Sequence, residues 1–427
     1  MERHRVVILG GGFGGLSAAL ALKNAPVEIT LLDRCNYHLF QPLLYQVATG
    51  SLSPANIASP LRQILRRQKN TKVLLAEAVD IDASNRRVIL SDGDVPYDTL
   101  IIATGSTHQY FGHDEWEKFA PGLKTVEDAT AIRRRILLAF EAAEREPDPA
   151  KLKAWMTFVI VGGGPTGAEL AGALGEIAHD TLTHDFRDID PSRTQIILVE
   201  GTDRALPTYP PKLSEAASKM LVRLGVTVRT GAMVTDIKAD SVMIREGDRT
   251  EPIPTRTVLW AAGVLASPLG IILSKKAGAS VDKFGRVLVN PDLSVPGHPE
   301  IFVIGDLANF SHQTGQPLPG VAQPAIQQGR HVGKLIRARL QNKKLAPFHY
   351  FDKGNLATIG RGAAVADLNW LQISGLPAWL IWIFIHLLYI VQFQNRLLVL
   401  LQWAWLYITF DRSARLITGE NPLPLDL

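Results

Sequence analysis

One pattern occurs twice in this chain and narrows the folds open to it. Residues 5–15 read RVVILGGGFGG, and residues 157–167 read TFVIVGGGPTG. Each opens with a short apolar run that does not alternate with polar residues, as expected of a strand covered on both faces. Each then breaks at a glycine cluster and resumes as an alanine- and leucine-rich stretch, residues 16–23 and 168–177, which predicts a helix. A second apolar run follows each time and stops at an acid: residues 27–33 end in Asp33, and residues 195–200 end in Glu200. Strand, glycine loop, helix, strand and acid make up a βαβ unit of a doubly wound parallel sheet. Two copies predict two nested Rossmann-type α/β domains.

The glycine spacing has a physical use. Gly10, Gly12 and Gly15 fit GxGxxG, with Gly14 in the same loop. The first glycine permits the tight turn, the second lets a pyrophosphate approach the backbone, and the third lets helix and strand pack closely. Free N–H groups and the helix dipole then hold the phosphates. Asp33 stands where a carboxylate accepts hydrogen bonds from a ribose. Gly162, Gly164 and Gly167 repeat the arrangement, with Pro165 near a helix start, where proline is tolerated. Glu200 comes later than usual because the polar stretch 181–192 intervenes. Its charge would repel the 2′-phosphate of NADPH and so favours NADH, although Arg204 lies nearby. Further apolar runs close at Gly105 and at Gly263, and residues 301–306 end in Asp306. An acid on a strand returning to the first sheet suits the ribityl chain of a flavin; the alternative is a cap on the turn at Leu307. On this reading the first loop holds FAD, the second holds NADH, and hydride transfer between them is the economical chemistry.

The expected organisation is an FAD-binding domain of residues 1–118 and 290–365, an NADH-binding domain of residues 119–289 inserted into it, and a C-terminal segment, residues 366–427. Residues 141–153, with Pro147 and Pro149, read as an exposed linker. A formal charge of +4 over 427 residues argues against a nucleic-acid partner. Cys35 is the single cysteine, so neither a disulfide nor a thiolate metal site can form within the chain, and the scattered histidines suggest no metal. The apolar run at residues 6–9 is too short for a signal sequence, which leaves the chain on the side where it is made. Residues 368–395 and 397–410 carry no charge. Trp379, Trp382, Trp403, Trp405 and Tyr407 are interfacial types, with Arg396, Arg412 and Arg415 flanking them. Two amphipathic helices lying in one leaflet, with the arginines on the headgroups, fit this stretch; a spanning element, or a dimer or core interface, are the alternatives.

Four segments carry a family resemblance: residues 36–50 (NYHLFQPLLYQVATG), 162–172 (GGGPTGAELAG), 322–329 (AQPAIQQG) and the tryptophan-rich tail. Together they resemble the type II NADH:quinone oxidoreductases, over almost the whole chain. The resemblance implies a non-covalent FAD that takes hydride from NADH and passes electrons to a membrane quinone, menaquinone or ubiquinone, without proton pumping. It implies attachment to the cytoplasmic face of the inner membrane, and a homodimer is compatible with the apolar tail. It places Gln323 and Gln327 beside the flavin and the quinone, with Pro324 constraining their backbone. On the residues alone these glutamines read as helix-terminal hydrogen bonders. Glu169 matches a family glutamate tied to proton or quinone handling, and otherwise reads as a capping acid. Lys353 matches a family lysine near the flavin, and otherwise pairs with Asp352 at the surface. The lone Cys35 excludes the paired-cysteine chemistry of disulfide reductases and sulfide:quinone oxidoreductases. A reductase serving a ferredoxin-like protein or oxygen, and a membrane-tethered NADH-sensing flavoprotein, are the competing functions.

Overall fold

The computed structural model describes residues 3–418. The chain forms two compact units. The first comprises Met1–Leu39, Ala58–Thr107 and Val264–Asp352; the second comprises Phe40–Ile57, His108–Gly263 and Lys353–Leu427.

The first unit is built on a six-stranded sheet in the order Ser294–Val295, His298–Val303, Thr99–Ile102, His4–Leu9, Val27–Asp33, Thr71–Leu75. All neighbours are parallel except the Ser294–Val295 edge. Val6 to Leu9 are buried, as their uninterrupted apolar run requires. His4–Leu9 pairs with Val27–Asp33 on one side and Thr99–Ile102 on the other, so the first glycine loop leaves the sheet where strand order reverses. The Phe13–Ala21 helix follows the loop and packs against the Ala322–Leu340 helix. Glycines set how close these two helices come. A Cβ on Gly329 would overlap the Gly14 carbonyl oxygen, and one on Gly333 would press on Ala21.

The second unit repeats the scheme with four parallel strands, Val226–Thr230, Gln195–Glu200, Thr157–Val161 and Thr257–Trp260. The Pro165–Glu176 helix follows the second glycine loop. It packs on a three-stranded antiparallel sheet, Asn355–Gly360, Ala363–Asp367 and Gln372–Ser374. Here too a glycine permits the approach, since a Cβ on Gly172 would overlap the Ile359 carbonyl oxygen. Two helices close the described chain, Leu376–Tyr389 and Phe393–Thr409.

Parts of this differ from the sequence reading. Residues 40–57 join the second unit because the Leu44–Ala48 turn of helix packs on the Val126–Glu144 and Pro165–Glu176 helices. Residues 264–289 join the first unit, and residues 108–118 and 353–365 the second. The exposed linker expected over 141–153 is short. Val126–Glu144 stays helical and Pro149–Trp155 is helical again, started by Asp148 accepting from the Ala150 N–H. Trp379, Trp382 and Trp403 are buried, with Trp382 and Trp403 rings 5.4 Å apart, so of the expected interfacial tryptophans Trp405 is the exposed one. Arg412, expected at a headgroup, is 3 % exposed and inside the protein.

Replacing Gly329 by valine should cost about 1–3 kcal/mol through overpacking of the Phe13–Ala21 and Ala322–Leu340 helices. A denaturant titration of the holoprotein measures this, and an unchanged midpoint and slope would contradict the close packing.

Candidate functional site

In the first unit, Gly10 turns the chain at φ +97°, and a Cβ there would overlap the Ala103 carbonyl. The Gly11 N–H donates to Asp33 Oδ2 at 2.5 Å, and the Cys35 N–H donates to Asp33 Oδ1 at 2.6 Å. The acid read as a ribose acceptor is therefore also the brace of the loop. Burial pushes its carboxyl up from the usual range, against the pull of those two N–H groups. A Cβ on Gly12 or Gly105 would meet nothing within 4 Å, which leaves open space at both loops. Thr104 Oγ1 is buried with no partner among the described residues. Open backbone beside an orphaned hydroxyl, with Asp306 held by Ser106 Oγ at 2.8 Å, fits a polar cofactor such as FAD.

The Ala322–Leu340 helix brings its glutamines to this unit. Gln327 binds the Phe351 backbone twice, donating to its carbonyl at 2.8 Å and accepting from its N–H at 3.0 Å. Gln323 is half-buried in the first turn. The residue that sequence reasoning missed is Gln328. It is 1 % exposed, and its Oε1 accepts the Gly305 N–H at 2.6 Å, fixing the turn that carries Asp306. The double glutamine of AQPAIQQG was the available signal, with one amide facing Phe351 and the next the Gly305 turn.

In the second unit the same construction recurs. Gly162 has φ +103°, the Gly163 N–H donates to Glu200 Oε2 at 2.6 Å, and the Thr202 N–H donates to Glu200 Oε1 at 2.8 Å. A Cβ on Gly164 would meet nothing within 4 Å, and one on Gly167 would overlap the Gly162 carbonyl oxygen. Arg204 reaches Asp203 at 3.5 Å and the Pro207 carbonyl at 3.1 Å. Gly263, at φ +70°, has no room for a Cβ beside Phe111.

Glu169 stands on the Pro165–Glu176 helix. Burial pushes its carboxyl well above the usual range, opposed by a hydrogen bond from the Thr358 N–H. Burial and the Glu169 charge together raise the phenols of Tyr45 and Tyr209. Tyr45 Oη accepts from Gln46 Nε2 at 2.8 Å, and Gln46 Oε1 accepts from Trp403 Nε1 at 2.7 Å, so a buried chain links the last helix to this tyrosine. Arg412 donates to the Thr49 carbonyl at 3.2 Å, to Ser51 Oγ, and to Glu176 Oε2 at 2.7 Å. Lys353 donates to Tyr389 Oη at 2.9 Å. No group of three or more metal-ligating side chains occurs among the described residues.

Two parallel sheets, each with a braced glycine loop, define a pyridine-nucleotide oxidoreductase architecture. The family model described as pyridine nucleotide-disulphide oxidoreductase matches residues 4–329, and that described as the NDH2 C-terminal domain matches residues 353–410. The chain is 44 % identical to the type II NADH:quinone oxidoreductase Ndh of Mycobacterium tuberculosis, over 98 % of this chain and 91 % of that one. It is 46 % identical to NdhA of the same organism, over 98 % and 90 %. The fold is shared with NDH2 from Plasmodium falciparum, solved in complex with NADH, at a TM-score of 0.86, 20 % identity and coverage of 95 % and 98 %. The chain belongs to the type II NADH:quinone oxidoreductase family.

Because Glu169 binds its proton more tightly in the folded chain, the unfolded chain releases that proton first as pH rises past the ordinary value of 4.5. Stability tied to this group is complete below that pH and is lost as pH climbs toward the raised folded value. Thermal midpoints of Glu169→Gln and wild type should thus diverge above pH 4.5, the variant becoming the more stable. Parallel curves would contradict the raised carboxyl.

Proposed function

We propose that this chain is a non-proton-pumping NADH:quinone oxidoreductase, with FAD held in the first unit and NADH in the second. The overall reaction takes NADH, a proton and a quinone to NAD⁺ and a quinol. When bound, FAD supplies the two-electron step between nicotinamide and quinone. The observation that carries the reading is the repeated brace, Asp33 on Gly11 and Glu200 on Gly163, which presents two separate glycine loops to two dinucleotides. Gly10, Gly12, Gly14, Gly15, Asp33, Gly105 and Asp306 hold the flavin nucleotide, joined by Thr104. Gly162, Gly164, Gly167, Glu200 and Gly263 hold NADH, and Glu200 selects against a 2′-phosphate. Gln323, Gln327 and Lys353 orient the flavin and the quinone. Glu169, whose burial favours its protonated form, holds the proton that quinone reduction consumes.

We assign the two last helices to a membrane surface, on the cytoplasmic side of the inner membrane, where a lipid-soluble quinone is met. Leu376, Leu380, Phe384 and Leu388 recur every fourth residue on one helix and are exposed; Leu397, Leu401, Trp405 and Ile408 recur every third or fourth residue on the next and are exposed too. No helix among the described residues is long and apolar enough to cross a membrane, which favours helices lying in one leaflet. The same face would serve a homodimer, but the aliphatic spacing on both helices suits lipid better.

Anaerobic stopped-flow mixing with NADH should bleach the flavin, and a quinone added next should restore the oxidised spectrum. Failure of restoration overturns the quinone assignment. The double variant Leu380→Glu, Leu401→Glu should lose co-sedimentation with lipid vesicles while keeping NADH oxidation by a water-soluble acceptor; retained sedimentation would contradict the membrane face.

A further inference from the structure

The segment NYHLFQPLLYQVATG contains a histidine that none of the roles above uses. His38 is 2 % exposed and sits on the short Tyr37–Leu39 strand, opposite Ser59 of Ala58–Pro60. Its Nδ1 lies 2.9 Å from the Gly11 carbonyl oxygen. That oxygen can only accept, so Nδ1 carries the proton and donates it. Burial lowers the imidazole pKa against the pull of this bond, so the ring is neutral at pH 7. Nε2 is then left as an acceptor, buried with no partner among the described residues. Asp33 already takes the Gly11 N–H. The two side chains therefore grip Gly11 by its N–H and by its carbonyl. The segment between them is pinned in turn, since the Leu61 N–H donates to the Asn36 carbonyl at 2.9 Å and Leu61 leaves no room for a Cβ on Gly11.

Peptide planarity gives the second bond its effect. Within one trans peptide unit the C=O and the N–H point in opposite directions. The Gly11 carbonyl and the Gly12 N–H belong to the same unit, so holding the carbonyl on His38 fixes the aim of the Gly12 N–H on the other side. Gly12 caps the Phe13–Ala21 helix, and a Cβ there would meet nothing within 4 Å. A backbone donor so placed is what a phosphate uses at a helix start. The second unit makes the equivalent bond with a different donor. There the Gly163 carbonyl accepts the Leu206 N–H at 2.7 Å, and the Cβ position of Gly164 is open in the same way. Leu206 reaches it at φ +51°, a left-handed backbone that leucine seldom adopts. One loop is thus held by main chain and the other by a side chain. We infer that His38 is a positioning residue for the pyrophosphate of FAD, acting through the Gly11–Gly12 peptide. The inference rests on the placement of FAD in the first unit.

The test compares holoenzymes that keep or lose the donor. His38→Phe fills the place of the ring without an N–H, and His38→Asn carries an amide N–H on a shorter side chain. Release of FAD on dilution, followed by flavin fluorescence, should be faster in His38→Phe by about tenfold or more, because a buried carbonyl loses its donor. The phosphorus NMR resonances of the bound pyrophosphate should move in the same variant. His38→Asn should release FAD within about threefold of the wild-type rate and keep the wild-type resonances. Should His38→Phe not fold, His38→Leu takes its place. Wild-type release and resonances in the variant without a donor would overturn the proposal. Equal loss of FAD from His38→Asn would overturn it too, since the side chain would then act by packing. Asp33→Ala, measured alongside, separates the His38 role from the placement of FAD. FAD held by His38→Phe but lost from Asp33→Ala overturns the His38 role alone, whereas FAD held by both overturns the placement of FAD at this loop.

Discussion

Each glycine loop is held by a carboxylate at the end of the neighbouring strand. Asp33 takes the Gly11 N–H and Glu200 takes the Gly163 N–H, and in both cases the second oxygen takes the N–H two residues further on. Such charge-assisted bonds are worth about 1.5–3 kcal/mol each. Their larger effect is geometric, because they couple the loop to the strand register and so fix where the remaining loop N–H groups point. Gly10 and Gly162 then complete the turn at positive φ, where a Cβ would strike the backbone of the strand behind. On the function proposed here, dinucleotide binding in either unit depends on that brace holding.

From this shared base the two units diverge. In the first, the glutamine-bearing helix presses onto the loop helix through Gly14 and Gly329, and Gln328 fixes the Gly305 turn. In the second, the loop helix is covered by an antiparallel sheet, and its far end is tied to the last segment of the described chain by Glu176 and Arg412. Removing Arg412 alone would take from the part-buried Glu176 its ion-pair partner and leave it the Arg361 N–H. That pair and the Trp403–Gln46–Tyr45 chain anchor the final helices from within, which leaves their outer apolar faces uncommitted.

The parallel sheets, the loops and their acids were legible in the sequence because short-range chemistry determines them: glycines at fixed spacing, uninterrupted apolar strands, and terminal carboxylates. What could not be read depends on contacts between distant residues. Whether Gln327 or Gln328 meets the Gly305 turn is decided by how the helix faces the sheet. Trp379, Trp382 and Trp403 looked interfacial because tryptophan has an apolar body and a polar edge; that same chemistry also suits a buried indole hydrogen-bonded to Gln46. Arg412 looked like a headgroup contact for want of any local sign of Glu176, which lies far back along the chain. The segment at residues 40–57 gave no hint that it packs with the second unit.

If the two braced loops serve different dinucleotides, their acids must be separable in solution. The direct measurement is FAD content and NADH affinity for purified Asp33→Ala and Glu200→Ala. Asp33→Ala should lose most of its FAD, with the chains that keep FAD binding NADH as wild type does. Glu200→Ala should keep full FAD and lose NADH affinity by about tenfold or more, which corresponds to roughly 1.4 kcal/mol. Loss of FAD from Glu200→Ala equal to that from Asp33→Ala would contradict the assignment of one dinucleotide to each unit.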